Sequence, residues 1–205
     1  MKALPLAAAL LLACAVPAAA HTVTEGTSGF TDGLQHPFGI PAHMMTILGL
    51  GLLLGQRDLA TLRGPIYGFL AGLVGGLVLS PFLTTDVMTA GLSATQLALV
   101  AVLGGLIAMS RPLPLALLAT LGVIGGAVLG LDSAPDGATL QQTAACLAGT
   151  AIALILVLLN LVALANYAMA QAARHPWMSV GMRIVGSWIV AASLMVLALH
   201  LRNSF

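Results

Sequence analysis

Gly29-Phe30-Thr31-Asp32-Gly33-Leu34-Gln35-His36-Pro37-Phe38-Gly39-Ile40-Pro41-Ala42-His43-Met44-Met45 opens the first of six long apolar segments in this chain. The stretch begins polar, carries two histidines and two prolines, and then runs into leucine, glycine and methionine. Further apolar segments follow at about 65–83, 94–110, 114–131, 144–167 and 184–201, the first being about 38–56. A bilayer-crossing helix takes roughly 17–25 apolar residues. The sequence therefore predicts an all-α fold, a polytopic membrane helix bundle with about six transmembrane helices after a signal peptide.

Composition supports the same solvent. The 205 residues are 60% hydrophobic and only 6% charged, against about 25% charge in soluble domains. So few ionic groups could not cover a water-facing surface. In lipid the backbone has no outside hydrogen-bond partner, so the segments must be helices. The net charge of +1 leaves no electrostatic footprint for nucleic acid. Of the two cysteines, Cys14 falls in the leader and Cys146 in the fifth segment. Only one would remain in the mature chain, where it reads as a small hydrophobe.

The leader has Lys2, an apolar run from Leu4 to Val16, and the small-residue site Ala18-Ala19-Ala20. This is the pattern of a cleavable signal peptide over 1–20. A lipid-attachment box ending at Cys14 and an uncleaved span are the other readings. Residues 21–37 would form an extracytoplasmic segment and 38–205 the six-helix membrane domain. Arg57 and Arg63 lie between segments one and two, Arg111 between three and four, and Arg174 and Arg183 between five and six. The alternate connections carry Asp86, Asp132 and Asp136. Basic residues favour the cytoplasmic side. The arginine connections are expected inside and the mature amino terminus outside, in a bacterial cytoplasmic membrane. Arg202 is the exception.

His36 precedes Pro37, as at a helix start. His43 follows seven residues later, two turns on the same helix face. Imidazole is a common ligand for nickel, copper and zinc. A straight helix would separate the two by about 10.5 Å, at roughly 1.5 Å per residue. One ion could not bridge that gap. Pro41 breaks the hydrogen-bond ladder, so a folded-back segment could bring the rings together. Otherwise they would be successive stations, capping groups or interhelix hydrogen-bond partners. His21 would become the first mature residue, offering an amine and an imidazole to a cation, with Glu25 and Asp32 adding negative charge. Gly72 and Gly76, and Gly122, Gly126 and Gly130, recur every four residues, the spacing for close helix packing. Asn160 and Asn166 read as interhelix contacts or as part of a path. No nucleophile–base pair, phosphate loop or paired Cys-x-x-Cys occurs, and the chain does not read as an enzyme or as the holder of a permanent cofactor.

The segment from Gly29 to Gly49 resembles the HupE/UreJ family of small membrane proteins. That family carries a signal peptide, an early histidine, His-Pro, then Gly-x-Asp-His and a methionine-bearing helix. Here His36, Pro37, His43 and Met44 or Met45 match. Arg183-Ile184-Val185-Gly186-Ser187-Trp188-Ile189-Val190-Ala191-Ala192 is similar to the family's last span. Ala42 stands where the family has aspartate. The family's middle His-Gly-x-Ala-His-Gly-x-Glu motif corresponds to residues 125–132, where Gly125 and Leu129 replace the histidines and Asp132 keeps an acid. The resemblance implies transport of a transition-metal ion, nickel or cobalt, and a link to a hydrogenase or urease as metalloenzyme maturation partner. The remaining His/Met set would suit copper better. His36 and His43 would be entry ligands, His21 an outer capture ligand and Asp132 a cation-attracting group. A non-transporting membrane accessory or assembly protein is the alternative.

The charge pattern makes a topological prediction. Reporter fusions should place the Arg57–Arg63 and Arg174–Arg183 connections in the cytoplasm and the connection after Asp132 outside. A cytoplasmic reporter after Asp132 would overturn the orientation.

Overall fold

A computed structural model describes residues 29–82, 86–135 and 138–203. The leader, the expected cut after Ala20, Cys14, His21, Glu25 and Asp136 lie outside the described residues. Among those described, seven α-helices are present: α1 (Gly29–Gly39), α2 (Pro41–Gly55), α3 (Arg63–Leu79), α4 (Asp86–Met109), α5 (Leu115–Leu131), α6 (Leu140–Gln171) and α7 (Trp177–Asn203). The chain is a helical membrane bundle. The helix containing α3 with its 3₁₀ extension to Phe82, and α4, α6 and α7, are each long and apolar enough to cross a bilayer. The α1–α2 pair meets the same test together but bends by 75°. α2 has 15 residues and α5 has 17.

The bend has a local cause. Pro37 does not start a helix, as its sequence context suggests, but sits inside α1. It has no N–H for the Gly33 carbonyl. The Thr150 hydroxyl of α6 donates to that carbonyl at 3.1 Å. Pro41 in turn has no N–H for Pro37, so α1 cannot continue. Ile40 is extended, with φ −112 and ψ 107, the conformation favoured before proline. α2 restarts with Pro41 in its first turn, where the missing donor costs nothing.

Residue pairings fix the helix directions. Along α2 and α6, Gly51 lies beside Leu161 and Gly55 beside Ala165. Along α2 and α4, Thr46 meets Gln96 and Gly49 meets Leu103. Those three helices run parallel. α5 is antiparallel to α2, with His43 beside Asp132 at one end and the Arg57 guanidinium donating to the Leu113 carbonyl at the other. α3 follows α5, with Gly68 beside Ala119 and Gly76 beside Ala127. α7 opposes α4, with Gly186 beside Gly104 and Arg183 Nε donating to the Ala108 carbonyl at 3.1 Å. Directions therefore alternate from α2 to α7.

α2 occupies the middle, with Ile47, Leu50 and Leu54 fully buried. The outer faces are apolar, as lipid contact demands: Val74, Val78, Leu156, Leu164 and Trp188 are exposed. Asn166 ties α6 to the end of α2 by donating to the Arg57 carbonyl at 2.7 Å. Asn160 is neither interhelix contact nor buried; its amide turns back onto the Leu156 carbonyl at 2.7 Å.

The α3–α5 pair rests on glycine. A Cβ on Gly122 would lie 2.6 Å from the Pro65 carbonyl oxygen, and one on Gly130 would lie 2.6 Å from that of Leu73. Backbone meets backbone, so no side chain can yield. Gly76→Ala would push a methyl into the Ala127 carbonyl, whereas a Cβ on its neighbour Gly75 meets nothing within 4 Å. Gly76→Ala should cost about 1–3 kcal/mol, as overpacking does, and Gly75→Ala should be neutral. Thermal unfolding in detergent checks the pair; equal midpoints would mean the α3–α5 interface does not depend on backbone approach at Gly76.

Candidate functional site

Three of the residues singled out in the sequence come together at one end of the bundle, opposite the arginine-bearing turns. The 75° bend at Ile40 turns the short α1 across the start of α2. The His36 and His43 rings consequently sit with centroids 5.4 Å apart, at 62° to each other, about half the axial spacing of a straight helix. α5 ends beside them. His36 Nε2 lies 3.1 Å from the Asp132 carbonyl oxygen and His43 Nε2 lies 3.0 Å from Asp132 Oδ2.

Each contact solves a backbone or burial problem. The last carbonyls of a helix have no intrahelical donor. At the end of α5, His36 donates to the Asp132 carbonyl and Ser133 Oγ donates to that of Leu129 at 2.6 Å. The His43 ring is 0% exposed, while the Asp132 carboxylate keeps 26% of its surface. An ionised carboxylate can only accept, so His43 Nε2 carries the hydrogen of that bond. In the neutral ring the lone pair is then on Nδ1. That atom is buried and has no protein partner. A histidine whose far nitrogen donates to a carboxylate has the tautomer and orientation usual in metal ligands.

Two further buried polar side chains lie one turn deeper. Thr46 and Gln96 are 0% and 1% exposed. Gln96 Nε2 donates to Thr46 Oγ1 at 3.2 Å, and Thr46 donates to the Ala42 carbonyl at 2.8 Å. Sequence reasoning passed over Gln96, although an amide inside the third apolar segment was the signal for it. Thr150 was missed as well. Its cue was indirect, since Pro37 within a helix demands a replacement donor.

Among the described residues, no group of three or more His, Cys, Asp or Glu side chains forms a metal-holding cluster. Gly125 fits where it stands, because its Cβ would meet Leu50 Cδ1 at 2.5 Å, and Leu129 is fully buried. Both positions are used for packing. His175 is exposed at the other end of the bundle. A cavity of about 210 Å³ at that end is lined by Gln56, Arg57 and Arg111 with Leu53, Leu118 and Met169. Its arginines would repel a cation.

The HupE/UreJ family model, described as HupE / UreJ protein, matches residues 9–197. The chain belongs to this family. No curated protein and no solved structure matches it. The matched region of this family member includes every helix but the last turns of α7, and with them the His36–His43–Asp132 cluster.

The cluster's contribution to folding is measurable. Asp132→Ala would leave the buried His43 N–H without an acceptor, at a cost of about 1–3 kcal/mol. Asp132→Asn keeps an accepting oxygen and should lose less. Unfolding midpoints of the two variants in detergent check this; equal losses would mean that the carboxylate oxygen does not anchor the ring.

Proposed function

We propose that this protein conducts a transition-metal ion, nickel or cobalt in the first instance, across the cytoplasmic membrane. The observation that carries the reading is the convergence of His36, His43 and Asp132 from three helices, α1, α2 and α5, at one end of the bundle. A soft or borderline divalent ion is the substrate such a pair of imidazoles with an adjacent carboxylate suits. The negative Asp132 raises local cation concentration at the mouth. His36, partly exposed, receives the ion, and the fully buried His43 takes it inward. His21 would act as an outer capture ligand ahead of both. Membership of the HupE/UreJ family supports this reading, and supports a metalloenzyme maturation protein as the partner on the receiving side.

No nucleotide-binding motif supplies energy. With the histidine mouth outside, a divalent ion moving inward gains about 4.6 kcal/mol from a 100 mV potential, at about 2.3 kcal/mol per charge. That gradient suffices to drive entry if ligand exchange is fast. Copper remains within the chemistry of His with Met44 and Met45.

A second reading has its own observation. The described residues include no three-donor cluster, and Ala42, Gly125 and Leu129 stand where the family keeps an aspartate and two histidines. A membrane accessory protein without transport would need nothing more.

Initial uptake in proteoliposomes, tested separately for nickel, cobalt, copper, zinc and manganese, distinguishes the two. His36→Ala and His43→Ala should each lower the rate normalised to folded protein at least tenfold. His175→Ala should leave it within twofold. Parental rates in both histidine variants would remove the proposed entry ligands, and a parent that moves none of these ions would favour the accessory reading.

A further inference from the structure

Gln96 offers more than an interhelix contact. Its amide N–H is spent on Thr46 Oγ1, and the Thr46 hydroxyl is spent on the Ala42 carbonyl. One N–H of Gln96 and the hydroxyl of Thr46 thus donate in one direction, toward α2. What remains is Gln96 Oε1, an acceptor with no protein partner on a side chain 1% exposed. His43 Nδ1 is in the same condition. Burying a polar group without a hydrogen bond is costly, and inside a membrane such groups mark partner helices or paths. The partner helix is already present here, yet both lone pairs are left over.

The two residues meet at one face of α2. His43 and Thr46 are three residues apart on α2 and so are neighbours on its surface, and Gln96 of α4 is bonded to Thr46. Both leftover atoms are lone-pair donors. A group that satisfies two such acceptors must be a cation or a donor. Asp132 holds the opposite nitrogen of His43, which aims the ring and assigns its hydrogen.

We propose that Gln96 Oε1 and His43 Nδ1 together form an inner ligand pair for a divalent cation, with Asp132 positioning the imidazole and Gln96 setting which ion is accepted. The inference rests on the cation-path reading and adds to it Gln96, a residue that reading does not use. An amide oxygen is a harder donor than a thioether or thiolate, so the pair would admit nickel, cobalt or zinc in preference to Cu(I). Remaining coordination positions would be filled by water, which lets the ion leave again.

The test uses the full purified chain in detergent, titrated with cobalt(II) alone and followed by its visible ligand-field absorption. Uptake competition among nickel, cobalt, zinc and Cu(I) is measured in parallel. Gln96→Leu should weaken cobalt binding at least tenfold. Gln96→Met should move the preference toward Cu(I), and Gln96→Glu should move it away. A merely structural Gln96 would change yield or melting temperature without reordering the ions. If Gln96→Leu does not fold, the order of preference in the Met and Glu variants decides. Parental affinity and parental order in the Gln96 variants would overturn this inference while leaving His43-dependent transport standing. Cobalt bound in a Gln96-dependent way by a parent that transports nothing would support the pair and remove the permease reading. A parent that binds no cobalt would overturn the pair.

Discussion

Lipid supplies no hydrogen-bond donors, and the architecture depends on how the chain meets that constraint at Pro37 and Pro41. Two prolines four residues apart remove two successive rungs of one ladder. In water the exposed carbonyls would be solvated. Here one is taken by Thr150 from another helix, and the second break is accepted as the 75° bend. Thr150 therefore both repairs α1 and docks it on α6. Once α1 is held there, the histidine before the bend and the histidine after it have no choice but to meet.

Close packing around α2 buries the inner side of the meeting place, where His43 is fully enclosed. Gly29 and Gly33 bring α1 onto the backbone of α6 near Gln142 and Cys146. Gly49, Gly51 and Gly55 bring α4 and α6 onto α2. With no hydrophobic effect acting between helices in lipid, this van der Waals contact is what holds them. A consequence is that the polar side chains buried there, His43, Thr46 and Gln96, cannot reach water. Each must be satisfied by a neighbour or by something that passes.

The membrane class, the apolar segments and the helix-breaking role of Pro41 were legible because hydropathy and proline act locally. Segment edges were less so: α4 begins at Asp86 rather than near 94, and α6 extends to Gln171, since polar first and last turns look like connections when read alone. The candidate site was half legible. His36 and His43 announce themselves by type and spacing. That Asp132, 89 residues beyond His43, would bond to both depends on α5 running antiparallel to α2, which no local pattern encodes. Gln96 was hidden for the opposite reason, as a single amide diluted in an apolar run.

Two of the helices that bear the site, α2 and α5, are short. At about 1.5 Å per residue, the 15 residues of α2 span about 22 Å and the 17 of α5 about 26 Å, against a hydrocarbon core of about 30 Å. A bilayer that meets α5 at the bundle surface, where Leu115, Leu117, Val123 and Ile124 are exposed, accommodates its length by local thinning, at a cost of fractions of a kcal/mol per ångström. Thinning would bring headgroups and water closer to the level of His43 from one side and Gln56 from the other. The low-dielectric barrier that a charged species must cross is then narrower at this protein than in the surrounding membrane, and membrane thickness itself becomes a variable that sets how easily ions reach the buried donors.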